Sequence, residues 1–138
     1  MSLEIEQHGR DGVAIVSLNG RLVLGEELET FREVMEKVLA SGHTRIALDM
    51  REVDYIDSSG LGCLVMQHTR AEKAGGVVVL FGLRKRPIEL MIITKLATVF
   101  RLAENEPDAV SACFPDRDVK PFDILNFVES QKKDGGTE

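Results

Sequence analysis

The chain has 138 residues, 43% hydrophobic and 29% charged, enough for one packed domain and short for two. Lys and Arg total 17 against 23 Asp and Glu, a formal net charge of −6. This argues against a general nucleic-acid binder, which needs basic surface to neutralise phosphates. Cys63 and Cys113 lie far apart with no CxxC or other metal-ligand spacing, and read as reduced, buried thiols. The longest apolar run, Val77 to Leu83, is far below the roughly 20 residues of a membrane span. Met1 to Glu6 carries neither a basic head nor an apolar signal core. No membrane span is expected, and the cytoplasm is the expected location.

Leu3 to Gln7 alternates apolar and polar residues, and Val13 to Leu18 is a β-branched run. With Gly9-Arg10-Asp11-Gly12 between them, the two predict a hairpin. Leu28, Phe31, Val34, Met35, Val38 and Leu39 fall on one helical stripe, which Gly42 ends as a C′ residue. Glu33 and Lys37 are placed to pair on its outer face. Ile46-Ala47-Leu48 predicts a short strand, followed by an acidic loop from Asp49 to Asp57. A second helix is expected over about Ser59 to Ala74, with Leu61, Leu64, Val65, His68 and Ala71 inward and Gly75-Gly76 as its stop. The continuous apolar run Val77 to Phe81 predicts a central strand covered on both faces.

Arg84-Lys85-Arg86 reads as a solvated loop. Pro87 suits N1 of a third helix, Ile88 to Leu96, whose Met91-Ile92-Ile93 reads as core. Thr98 to Leu102 predicts the last strand, and Pro107 opens a fourth helix over about Asp108 to Cys113. The order predicts an α/β fold: a mixed sheet of about five strands with right-handed crossovers and four helices mainly on one face. Residues 1–115 form this domain. Residues 116–138 are a C-terminal extension whose apolar Phe122 to Val128 predicts a short helix over 122–131, ahead of a disordered end.

The densest signal is Val53-Asp54-Tyr55-Ile56-Asp57-Ser58-Ser59-Gly60-Leu61-Gly62, where a strand meets a helix. Ser58 is an N-cap candidate, because its hydroxyl can accept from the free N–H groups of the first turn. A plain cap needs neither the repeated hydroxyl of Ser59 nor two glycines that each cost about 1 kcal/mol in a helix. Gly60 and Gly62 strip the helix start of side chains, so that another backbone or a phosphate can come close.

Asp57-Ser58-Ser59-Gly60-Leu61-Gly62, preceded by Ile46-Ala47-Leu48-Asp49 and followed by Gly75-Gly76 and an apolar strand, resembles the STAS domain of bacterial anti-sigma factor antagonists. The likeness covers about Leu3 to Phe114. It implies a STAS-like sheet and helices, and a protein that binds rather than catalyses. It also implies that the serine after the aspartate, Ser58, is phosphorylated by a partner that is both anti-sigma factor and serine kinase, with Ser59 as the fallback. The unphosphorylated form would hold the kinase and free a sigma factor, and a serine phosphatase would reset it. The partner-binding set would be Asp57, Ser58, Ser59, Gly60, Leu61 and Gly62, flanked by Arg21 and Val23. Asp57 would orient the serine, hold a metal–nucleotide edge or simply be an exposed turn aspartate.

Two departures stand out. Where sporulation antagonists carry Gly-Glu-Leu-Asp, this chain has Gly20-Arg21-Leu22-Val23-Leu24-Gly25, which alters the kinase-facing loop. The extension also passes the family's usual end, either folding back on the domain or docking on a second copy as a homodimer. Two other readings fit the resemblance. One is a STAS interaction subunit, never phosphorylated, in a lipid-transport or signalling complex. The other is a small-ligand or nucleotide module with its anion site at Ser59-Gly60 near Arg84 or Arg86.

Enzyme motifs are weak: Gly60-Leu61-Gly62 lacks the third glycine of a dinucleotide loop, and no Gly-x-Ser-x-Gly elbow or Walker lysine motif occurs. No cofactor or metal is expected. His8, His43 and His68 share no HExxH spacing, His68 reads as a satisfied core residue, and a Ser58–His43 nucleophile pair lacks an oxyanion motif.

Overall fold

A computed structural model describes residues 3–114. In chain order the elements are β1 (Glu4–Arg10), β2 (Val13–Leu22), α1 (Glu26–Ala40), β3 (Arg45–Ile56), α2 (Ser58–Lys73) and β4 (Val77–Phe81). After these come α3 (Lys85–Ile93), a 3-10 turn (Leu96–Thr98), β5 (Arg101–Ala103) and α4 (Glu106–Ala112). The sheet order is β1-β2-β3-β4-β5, with β1 antiparallel to β2 and every other pairing parallel. The expected extension, 116–138, with its helix over 122–131, lies outside the described residues.

The β1–β2 hairpin closes through Asp11-Gly12, both with positive φ (54° and 80°), the geometry of a two-residue type I′ turn. Helix α1 ends as expected. Gly42 sits at φ 91° and donates to the Leu39 carbonyl while His43 donates to that of Val38, a Schellman closure. Charge on α1 is paired across to α2, Glu36 with Arg70 at 3.6 Å, and among the described residues no ion pair joins Glu33 to Lys37.

A parallel sheet built in sequential strand order with crossovers of one hand places all its crossover helices on one face. Leu28, Phe31 and Met35 of α1, Leu61 and Leu64 of α2, and Ile88 and Met91 of α3 accordingly share one core with Val16, Leu48 and Leu80 of the sheet. Helix α4 covers the other face, where Ala109, Val110 and Cys113 meet Ile15, Ala47, Val79 and Phe81. Strand β4 thus has apolar cover on both sides, although β3 and not β4 is the middle strand. Both cysteines are free and buried, and burial pushes the Cys113 thiol up to about 11.

The acidic stretch Asp49 to Asp57, expected as a loop, instead continues β3 as far as Ile56 and ends at the α2 cap. Register shifts at Ser17/Asn19 and Gly20/Arg21 each place one extra residue on β3. These bulges stretch the buried repeat to Met50, Val53 and Ile56, a spacing of three that hides the strand from period-two reading. Similar local chemistry moves other ends. Asn105 caps α4 by accepting from Asp108 N–H at 2.9 Å, so Pro107 is not N1, and Arg84-Lys85-Arg86 opens α3 instead of forming a loop. The last strand starts at Arg101 because Leu96–Thr98 coils into the 3-10 turn.

Asp49 is a buried carboxylate on the α4 face, bonded by Arg51 through Nε (2.9 Å), Nη2 (2.7 Å) and backbone N–H (3.1 Å). Burial pushes its pKa up, but the Arg51 hydrogen bonds and charge outweigh that and hold it below 3.8. A carboxylate depressed in the folded state stabilises fully above the unfolded pKa and loses that contribution as pH falls through the folded one. Asp49→Asn is therefore expected to cost about 1–3 kcal/mol near neutrality. Denaturation midpoints of the two proteins should converge below about pH 4, and a gap that stays constant down to pH 2 would contradict the assignment.

Candidate functional site

In open α/β sheets, sites form beyond the carboxyl ends of parallel strands, where crossover helices begin. Here β3 ends at Ile56 and α2 starts at Ser58, next to the end of β2 and the start of α3. The N-cap of α2 is Asp57, not the expected Ser58. Its Oδ1 accepts from Gly60 N–H at 2.7 Å and its Oδ2 from Leu24 N–H at 3.0 Å. An ionised carboxylate complements the helix dipole better than a hydroxyl can, and this one also pins the β2–α1 connection to the α2 start. Asp57 is therefore not a free turn aspartate: each of its oxygens accepts a backbone N–H.

Ser58, relieved of capping, is exposed at the first helical position, and among the described residues its hydroxyl has no hydrogen-bond partner. Ser59 is only half-exposed. The two glycines divide their work. A Cβ on Gly60 would strike the Leu22 carbonyl of β2, so this glycine admits another backbone. Gly62 has nothing within 4 Å of such a Cβ and is exposed. Gly62→Ala is accordingly expected to stabilise the fold by about 0.5–1 kcal/mol through helix propensity. A lower melting temperature would contradict an open position there.

Gly60 and Leu61 are buried and serve the fold beneath the surface, while Ser58, Ser59 and Gly62 reach it. Arg21 lies in β2, not in a loop, its guanidinium 5.4 Å from the Tyr55 ring centre. Val23 is half-buried in the short connection to α1. Next to Ser58 opens a cavity of about 470 Å³ lined by Tyr55, Ile56, Asp57, Ser58, Arg86, Glu89, Leu90 and Ile93.

The α3 contribution was not visible as a site in the sequence, where Met91-Ile92-Ile93 reads as core. Met91 is buried, but Ile92 is 41% and Ile93 77% exposed. Three consecutive residues on a helix point about 100° apart and cannot all face inward, which is the signal the sequence did hold. Tyr55, 41% exposed, lines the same cavity, and Leu24, whose N–H bonds Asp57, is 72% exposed.

The histidines are elsewhere. His43 bonds Ser41 Oγ at 2.8 Å just before β3, at the far end of that 12-residue strand from Ser58, which separates the nucleophile–base pair considered above. His68 is not fully satisfied: Nε2 lies 3.4 Å from Glu72 and the ring packs edge-on to Phe100, but buried Nδ1 has no partner. Among the described residues no helix is long and apolar enough to cross a membrane.

Residues 4–109 match the family profile of the STAS domain. The anti-sigma-F factor antagonist RsfB of Mycobacterium tuberculosis is 31% identical over 117 residues, covering 80% of this chain and 88% of its own. An anti-sigma factor antagonist from Mycobacterium paratuberculosis shares the fold at a TM-score of 0.69 and 23% identity, over 80% of this chain and 93% of that one. The Bacillus cell-fate determinant SpoIIAA in its phosphorylated form does so at a TM-score of 0.62 and 18% identity, over 79% and 98%. The chain belongs to the STAS-domain family of anti-sigma factor antagonists.

Proposed function

We propose that this protein is a phosphorylation-gated binding protein of the cytoplasm, not an enzyme. Unphosphorylated, it holds an anti-sigma factor that is also a serine kinase and so frees a sigma factor. The kinase moves the γ-phosphoryl group of ATP to the Ser58 oxygen, releasing ADP and the hydroxyl proton, and a serine phosphatase restores the hydroxyl by hydrolysis. The partner meets Asp57, Ser58, Ser59 and Gly62, with Arg21 and Val23 at the flank and Gly60 and Leu61 supporting the surface from beneath.

The observation that carries this reading is the division of labour at the α2 start. Asp57 caps the helix, which leaves Ser58 exposed and its hydroxyl uncommitted. A phosphate there adds about −1.5 to −2 charge where free N–H groups and the dipole tolerate an anion, so the fold survives while the surface becomes more negative. Baits carrying Ser58→Ala and Ser58→Asp, exposed to host lysate and read by mass spectrometry, test it. An ATP-binding anti-sigma factor on the alanine bait, lost from the aspartate bait, is the expected result. Equal capture by both would remove the gate.

A further inference from the structure

The cavity that Ser58 lines also carries a cation with no described partner. Of the three basic residues that open α3, Arg84 donates to the Arg51 carbonyl at 2.8 Å and lies 3.3 Å from Glu52. Lys85 is exposed and does not line the cavity. Arg86 does line it, together with Ser58, and among the described residues no hydrogen bond or ion pair engages its guanidinium. The cavity that both line has a volume of about 470 Å³, large enough for a phosphate.

On the reading of Ser58 as the phosphorylated residue, we infer that Arg86 receives that phosphate within the same chain, bridging the start of α2 to α3. The planar guanidinium offers parallel N–H donors that match two phosphate oxygens, a fit that lysine lacks. The bridge makes the switch two-sided. In the unphosphorylated protein Arg86 stands beside exposed Ile93 as a free cation for a partner carboxylate. After phosphorylation the same cation is taken, and the partner faces a new anion as well.

The test encodes phosphoserine at position 58 of the full chain and follows its second ionisation by phosphorus-31 NMR. Asp57, Tyr55 and Glu89 are the other titratable groups on the cavity wall, Arg21 lies outside the lining with its guanidinium 5.4 Å from the Tyr55 ring centre, and Asp54 lies on β3 outside the wall. Arg86 facing the dianion lowers the ionisation midpoint, so Arg86→Gln is expected to raise it by about half a pH unit or more. Glu89→Gln should shift it the opposite way, and Lys85→Gln should leave it in place. An unchanged midpoint in Arg86→Gln, or an equal rise in Lys85→Gln, overturns the assignment. The phosphate is installed without a kinase, so the outcome is independent of events in the host. Failure of the underlying reading shows separately, as Ser58 found free of phosphate in protein isolated from its own cells.

Discussion

Gly60→Ala is expected to lower stability by about 3 kcal/mol, at the upper end for overpacking a rigid contact. The new methyl would collide with the Leu22 carbonyl, and Ile56 Cγ2, 3.0 Å from the same point, blocks sideways escape. Neither side can give way cheaply. The Leu22 carbonyl also accepts from Asp57 N–H at 3.2 Å, and Asp57 is fixed by its bonds to Gly60 and Leu24. Relief would require α2 to lift off β2, breaking the cap and opening the core at Leu61 and Leu64. For a domain of this size the loss corresponds to a fall in melting temperature of roughly 10 °C. Set against the expected gain from Gly62→Ala, it separates the glycine that builds the site from the one that keeps it bare. A Gly60→Ala protein as stable as the parent would show that α2 does not pack this closely.

The other large effect concerns binding. A surface fitted to the neutral Ser58 hydroxyl would, after phosphorylation, have to bury a dianion close to Asp57 and Glu89. One guanidinium, that of Arg86, only partly compensates a dianion beside two carboxylates; burying the uncompensated charge costs several kcal/mol, and each 1.4 kcal/mol is tenfold in affinity. Partner affinity should therefore fall about 100-fold or more while the melting temperature barely moves, because the helix N-terminus accepts the charge. Ser59, half-exposed and one position further into the helix, should not substitute for Ser58 as the control point. Ser59→Ala is expected to retain the switch.

Much of this fold was legible because its signals are local. The run Val77 to Phe81, the stripe from Leu28 to Leu39 and the stop at Gly42 each carry one period or one breaker, and all hold in the structure. The second half of β3 was not legible, because two bulges change its buried repeat from two to three. At the site, the serine was visible in the motif, but Asp57-Ser58-Ser59 offers three adjacent capping side chains. Only the Leu24 N–H, brought in from 33 residues away, decides for the aspartate. The cavity was illegible for a related reason. Tyr55 of β3, Ser58 of α2, and Arg86 and Ile93 of α3 belong to three elements that meet only because parallel strands start their crossover helices at one end of the sheet.

The central claim is that the charge state of Ser58 decides partner binding. Its most direct test is a calorimetric titration of the captured anti-sigma factor with two preparations of the full chain, one unmodified and one bearing phosphoserine at position 58. The expected result is tight binding to the first and an affinity lower by about 100-fold or more for the second, with both preparations folded. Equal affinity for the two would contradict the account and leave Ser58 as an exposed serine beside a cap.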